Sequence, residues 1–157
     1  MATLSIESNG RLEKTAVYYN GEQIAGIKEL FLNLDEDGTF DAIIQYEGTN
    51  KQIYTKSVFL DYLDNIRVCE PAFTEEEARA LQLFTVESEG YIDDTYVYRN
   101  DEQQDGIVSV MLHIKATENA GGLKKLLNKS NIPDTVEFKA EITYRNEDES
   151  LETERIF

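Results

Sequence analysis

The stretch LSIESNGRLEKTAVYYNGEQIAGI, residues 4–27, returns as FTVESEGYIDDTYVYRNDEQQDGI, residues 84–107, without a gap and at an offset of 80. Of the 24 aligned positions 11 are identical: Glu7, Ser8, Gly10, Thr15, Val17, Tyr18, Asn20, Glu22, Gln23, Gly26 and Ile27 recur as Glu87, Ser88, Gly90, Thr95, Val97, Tyr98, Asn100, Glu102, Gln103, Gly106 and Ile107. Similarity at a fixed period decides an architecture before any local pattern does. The chain therefore reads as two diverged copies of one unit.

Outward from this stretch the register holds through Leu30, Leu32 and Leu34, matched by Val110, Leu112 and Ile114, and then shifts. Phe40-Asp41-Ala42-Ile43-Ile44-Gln45-Tyr46 reappears as Phe138-Lys139-Ala140-Glu141-Ile142-Thr143-Tyr144 at an offset of 98, and Val58-Phe59 matches Ile156-Phe157. The change of offset marks an insertion at 116–135 in the second copy. Repeat 1 covers 3–60, a linker 61–82, and repeat 2 covers 83–157.

Apolar residues alternate in Leu30, Leu32, Leu34 and in Phe40, Ala42, Ile44, Tyr46, the period of a strand with one buried face. Asn9-Gly10, Asn20-Gly21, Asp37-Gly38 and Gly48-Thr49-Asn50 punctuate these runs as turns. Strands are expected near 3–8, 12–19, 26–34, 39–47 and 52–60, and again near 83–88, 91–99, 106–115, 136–145 and 151–157. In the linker, Thr74-Glu75-Glu76-Glu77 has the spacing of a capping box ahead of a short helix. The insertion holds a candidate second helix at 123–128, flanked by Lys124, Lys125 and Lys129.

One five-stranded copy has an apolar face and too little mass to bury it. The expected fold is thus mainly β: two antiparallel meanders packed about a pseudo-twofold as a sandwich or a barrel, forming one compact domain over 1–157. Phe31 and Met111, with Ile27 and Ile107, are expected on the face opposite the Leu30 and Val110 set, under further packing or at an oligomer interface.

Thirty-one acidic residues against 15 basic ones give a net charge of −16. This charge disfavours direct contact with nucleic acid and with anionic lipid. It is spread evenly, with 15 acidic and 7 basic residues in 1–80 and 16 and 8 in 81–157. No apolar run is long enough for a membrane-spanning helix. Residues 1–7 lack the basic-then-apolar pattern of a secretory signal. With Cys69 the single cysteine, a reducing, cytoplasmic setting is the default expectation.

Catalytic equipment is sparse. His113 is the single histidine, mid-strand at the position equivalent to Asn33, and Cys69 reads as a packing residue before Pro71. There is no glycine-rich phosphate loop and no cysteine cluster, and neither a cofactor nor a metal is expected. Asn33, Asp35, Asp37 and Asp41 surround Gly38 at alternate positions, as in calcium loops. The second copy has nothing equivalent, so an acidic hairpin tip is the simpler reading.

The repeated residues sort by chemistry. The glycines serve backbone geometry, and Thr15, Val17 and Ile27 fit strand packing. Glu7, Tyr18, Glu22 and Gln23, with Glu87, Tyr98, Glu102 and Gln103, are polar or amphipathic and are the candidate binding residues. The expected function is a non-catalytic binding or structural-interaction protein with a protein or small-molecule partner, self-association being left open. The alternatives are a polyanion mimic that occupies a nucleic-acid-binding protein and an enzyme working with carboxylates and tyrosines.

Overall fold

The computed structural model describes residues 1–115 and 137–157; the expected insertion helix and its lysines lie outside them. In chain order the elements are β1 (Ala2–Ser8), a 3-10 turn (Leu12–Lys14), β2 (Ala16–Tyr19), β3 (Glu22–Ala25), β4 (Ile27–Asp35), β5 (Phe40–Glu47), β6 (Ile53–Ser57), β7 (Arg67–Val68), α1 (Glu75–Ala78), β8 (Gln82–Ser88), a second 3-10 turn (Ile92–Asp94), β9 (Thr95–Arg99), β10 (Glu102–Gln103), β11 (Ile107–Lys115), β12 (Glu137–Arg145) and β13 (Leu151–Arg155). Among the described residues these strands form a seven-stranded sheet, β10-β9-β8-β1-β2-β3-β7, and a six-stranded sheet, β13-β12-β11-β4-β5-β6. Every pairing is antiparallel. The sheets do not close, so of the two expected closures the barrel is not formed.

Strands from 3–60 and 83–157 share both sheets. β1 pairs with β8, aligning Ser5 with Thr85, and β4 pairs with β11, aligning Leu32 with Leu112. The alternation read in the sequence delivers one continuous core. Leu4, Ile6, Phe84 and Val86 of one sheet and Leu30, Leu32, Ile44, Leu112 and Ile142 of the other all belong to it and are fully buried. Each such side chain contributes about 1.5–3 kcal/mol on leaving water.

Several local expectations change. Among the described residues, each of the segments 3–60 and 83–157 contributes six strands rather than five, because a short strand, β3 or β10, follows the hairpin turn. Asn20 and Gly21 have φ of 51° and 87°, and Asn100 and Asp101 have 52° and 66°. These are the left-handed conformations that match a two-residue turn to strand twist. β3 and β10 hold at most four residues, too few to show a period. The run expected to begin a strand at residue 12 is instead a 3-10 turn in both places.

Gly26, with φ of 81°, then lets the chain leave one sheet and enter the other. The pairing slips between Ile27 and Glu29 and again between Ile107 and Ser109. This bulge turns Ile27 and Ile107 toward the core, where both pack, and not onto the outer face with Phe31 and Met111.

Much of the repeated polarity serves these turns. Ser8 and Ser88 are fully buried. Their hydroxyls lie 2.7 and 2.8 Å from Thr15 and Thr95 Oγ1 and accept the amides of Gly10 and Gly90 at 2.9 Å. Thr15 and Thr95 donate onward to the carbonyls of Arg11 and Tyr91 at 2.6 Å. Thr15 is therefore repeated for its hydroxyl as much as for strand packing. Asn20 and Asn100 Oδ1 accept from the amides of Thr3 and Leu83 at 2.9 Å. The capping box forms as read, Thr74 Oγ1 accepting from Glu77 N while Glu77 Oε1 accepts from Thr74 N.

Candidate functional site

Because Leu4 and Ile6 point into the core, Thr3, Ser5 and Glu7 take the opposite face of β1. The registers carry that phase across the seven-stranded sheet. Gln23 is opposite Tyr18, Tyr18 opposite Ser5, Ser5 opposite Thr85, Thr85 opposite Tyr98, and Tyr98 opposite Gln103. The outer face thus carries a row reading Gln-Tyr-Ser-Thr-Tyr-Gln, about 24 Å long at the usual strand spacing. Its two central hydroxyls lie 3.0 Å apart. Glu7 and Glu87 stand on the same face in adjacent rows, Glu87 opposite Tyr96.

The structure therefore brings together Glu7, Tyr18, Gln23, Glu87, Tyr98 and Gln103. It does not bring Glu22 and Glu102 to them. These pair with Tyr19 and Arg99 in the opposite phase and are exposed at the hairpins. The two halves also differ. Tyr18 donates to Glu7 Oε1 at 3.1 Å, and among the described residues Tyr98 has no such bond to Glu87.

Burial and the bond to the Glu7 carboxylate push the Tyr18 phenol up to about 12. Since its folded value lies above the unfolded value of about 10, the stability it contributes is complete below about pH 10 and disappears as pH rises through about 12. Glu7→Gln removes the carboxylate's share. Ultraviolet titration should then show one tyrosine ionising at lower pH than in the wild type, with burial keeping it above 10; superimposable curves would contradict the assignment.

At each Gly26-type crossing a cleft opens beside the sheets. The first, about 280 Å³, is lined by Leu12, Val17, Gln23, Gly26, Ile27 and Lys28 among others. The second, about 390 Å³, is lined at equivalent positions by Ile92, Val97, Gln103, Gly106, Ile107 and Val108. Their chemistry differs. Ala16, Ile24 and Ala25 of the first are replaced in the second by Tyr96, Gln104 and Asp105, and the second adds Glu36 and Asp93. Arg145 holds Glu36 through two bonds of 2.7 and 3.0 Å. Beside this cleft Tyr144 donates to Gln104 Oε1 at 2.8 Å, and Arg99 donates to Tyr144 at 3.3 Å and to Glu154 at 3.1 Å. Tyr96, Gln104, Asp105 and Arg99 escape a search for repeated residues because at these positions the segments 4–27 and 84–107 differ in sequence.

The remaining candidates have local explanations. Asp35 Oδ1 accepts from Asp37 N at 3.0 Å, and Asp37 Oδ1 from Thr39 N at 2.9 Å. The bond to the Thr39 amide holds the Asp37 carboxyl below its ordinary range. These carboxylates fasten their own hairpin tip, and among the described residues no group of three or more His, Cys, Asp or Glu is placed to hold a metal ion. His113 Nε2 lies 2.6 Å from Glu29 Oε2, and its ring meets Phe31 edge-on. Cys69 is exposed, not packed, because it continues the rim strand β7, its amide donating to Gln23 O at 2.9 Å.

No protein-family model matches the chain, and no curated protein or solved structure is significantly similar to it. Among the described residues, no helix is long and apolar enough to cross a membrane.

Proposed function

We propose that the chain is a non-catalytic binding protein made of two copies of one β unit about a pseudo-twofold axis, with the outer face of the seven-stranded sheet as its working surface. The observation that carries this reading is the Gln-Tyr-Ser-Thr-Tyr-Gln row, which reads the same from either end except that its two central hydroxyl residues are serine on one side and threonine on the other. A solvated outer face needs only polarity, whereas this row also presents two tyrosines, Tyr18 and Tyr98, a residue type enriched in binding surfaces. The registers support the axis: Ser5 pairs with Thr85 and Leu32 with Leu112, each residue facing its own counterpart at an offset of 80.

The other functions draw less support. A polyanion mimic calls for carboxylates in an unbroken line, and the centre of this face is amide, phenol and hydroxyl. An enzyme working through carboxylates calls for one with a raised pKa. Asp37, Glu77 and Asp148 are shifted the other way by hydrogen bonds within their own turns.

Affinity capture from lysate of the source cell, with quantitative mass spectrometry, tests the reading. Tyr98→Ala combined with Gln103→Ala should reduce recovery of the wild-type partner about tenfold or more, as expected when an aromatic anchor is lost. Glu22→Ala with Glu102→Ala, which lies off the face, should recover it fully. Equal recovery by both variants would refute the assignment of the face.

A further inference from the structure

The edges of the seven-stranded sheet are treated differently at its two ends. At the first, the linker adds itself to β3: Val68 pairs with Ile24 and Arg67 with Ala25. The next residue continues the ladder, Cys69 N donating to Gln23 O at 2.9 Å. The Gln23 side chain then holds the same segment, its Oε1 accepting from Ala72 N at 2.7 Å. Beyond it Phe73 lies under Lys14, which also approaches Glu77 at 3.9 Å. A two-residue strand on this edge is thus enough to dock an extended segment when a glutamine carbonyl and amide receive it.

At the other end the equivalent strand is β10, with Gln103 in the place of Gln23. Among the described residues β10 pairs only with β9, and no strand pairs with its outer edge. Gln103 is exposed. Tyr96 is 43% exposed, where its counterpart Ala16 is buried. An open edge with unpaired backbone groups is a template for strand addition.

Charge selects the occupant. Among the described residues the cleft beside β3 is lined by Lys28 and no carboxylate, and the segment 67–77 that follows the β3 edge carries Arg67 against four glutamates, Glu70, Glu75, Glu76 and Glu77. The cleft beside β10 is lined by Glu36, Asp93 and Asp105, of which Glu36 is held by Arg145, and Asp101 and Glu102 occupy the hairpin. The net charge of −16 adds long-range attraction for a cationic partner.

We propose that the outer edge of β10 takes up a lysine- or arginine-rich extended segment of a partner protein, in the way that β3 takes up β7. The proposal rests on the binding-protein reading and specifies its partner. Its backbone hydrogen bonds supply affinity, and the Asp93 and Asp105 carboxylates supply the preference for cations.

The test uses the full chain and a fluorescent peptide of alternating lysine and valine. Three comparators accompany it: the peptide N-methylated along its backbone, the peptide with glutamate for lysine, and the protein variant Asp93→Asn with Asp105→Asn. Amide shifts in the NMR spectrum should cluster at 101–105 and 96–98 and spare 22–25. Backbone methylation should abolish saturable binding, the glutamate peptide should not bind, and the double variant should weaken binding about five- to tenfold. Absence of saturable binding, undiminished binding of the methylated peptide, or shifts centred on β6 or β13 would each overturn the proposal. Should the peptide fail while Tyr98→Ala with Gln103→Ala still loses its captured partner, the edge is wrong and the face stands. Shifts at β10 together with an unaffected capture would have the opposite meaning.

Discussion

Gly26→Ala is expected to lower stability by about 3–5 kcal/mol, while Gly106→Ala, at the equivalent position, costs about 1–2 kcal/mol. Both glycines have positive φ, 81° and 71°, so either alanine carries the left-handed penalty. They differ in what the new methyl meets. At Gly26 it falls 2.7 Å from the carbonyl oxygen of Glu47 and against the Arg67 guanidinium. The guanidinium can swing away, at the cost of the 3.1 Å bond from Arg67 Nε to Glu47 O. The carbonyl cannot, because Glu47 N donates to Gly26 O at 2.9 Å and ties the two backbones together. At Gly106 the nearest atom is Arg145 O at 3.4 Å, a contact that small relaxation absorbs. A domain of ordinary stability has about 5–15 kcal/mol in total, so the first substitution removes a large share of it. Urea denaturation of the two variants gives the comparison. Equal losses would mean that the backbone conformation alone governs these corners and that the Glu47 contact is irrelevant.

That contrast also indicates how far a repeat can be read. The offset of 80 marks both glycines as special, and the turns read at Asn9-Gly10 and Asn20-Gly21 form, whereas the hydroxyl contacts of Ser8 and Ser88 emerge only in the structure. The long alternating runs that become β1, β4, β5, β8 and β11 were legible because a half-buried strand imposes its period directly on the sequence. β3, β7 and β10 were not, since two to four residues cannot display a period, and β7 is held by pairing with β3, a strand distant in the chain. The bulges that turn Ile27 and Ile107 inward follow from the sheet change at Gly26 and Gly106, which alternation by itself does not encode.

The candidate site was legible in part for the same reasons. Glu7, Tyr18, Gln23 and their counterparts share one face because their strands pair in matching phase. Glu22 and Glu102 were grouped with them by repetition alone, and pairing with Tyr19 and Arg99 separates them. The distinctive chemistry of the second cleft lies at Tyr96, Gln104 and Asp105, positions at which the segments 4–27 and 84–107 differ in sequence. Positions identical at the offset of 80 include the turn contacts that both segments form, and positions that differ include contacts that one segment forms alone. Arg99 illustrates this, reaching Tyr144 and Glu154 from the position that Tyr19 occupies at the offset of 80.

Expression of residues 1–70 alone is the most direct measurement of whether the two segments complete one another. In the whole protein β1 and β4 lie at the centres of their sheets, paired with β8 and β11. The fragment would expose both of those edges together with the apolar faces of Leu4, Ile6, Leu30 and Leu32. A chain of this length buries only about 60% of its unfolded surface. Each large side chain left in water forfeits about 1.5–3 kcal/mol, which a small domain cannot supply from its total. The predicted result is a fragment that does not fold as a monomer. It should either aggregate or form a homodimer in which β1 pairs with its copy about Ser5 and β4 with its copy about Leu32. A monomeric fragment with dispersed amide resonances and cooperative unfolding would contradict the account and make the two segments independent modules.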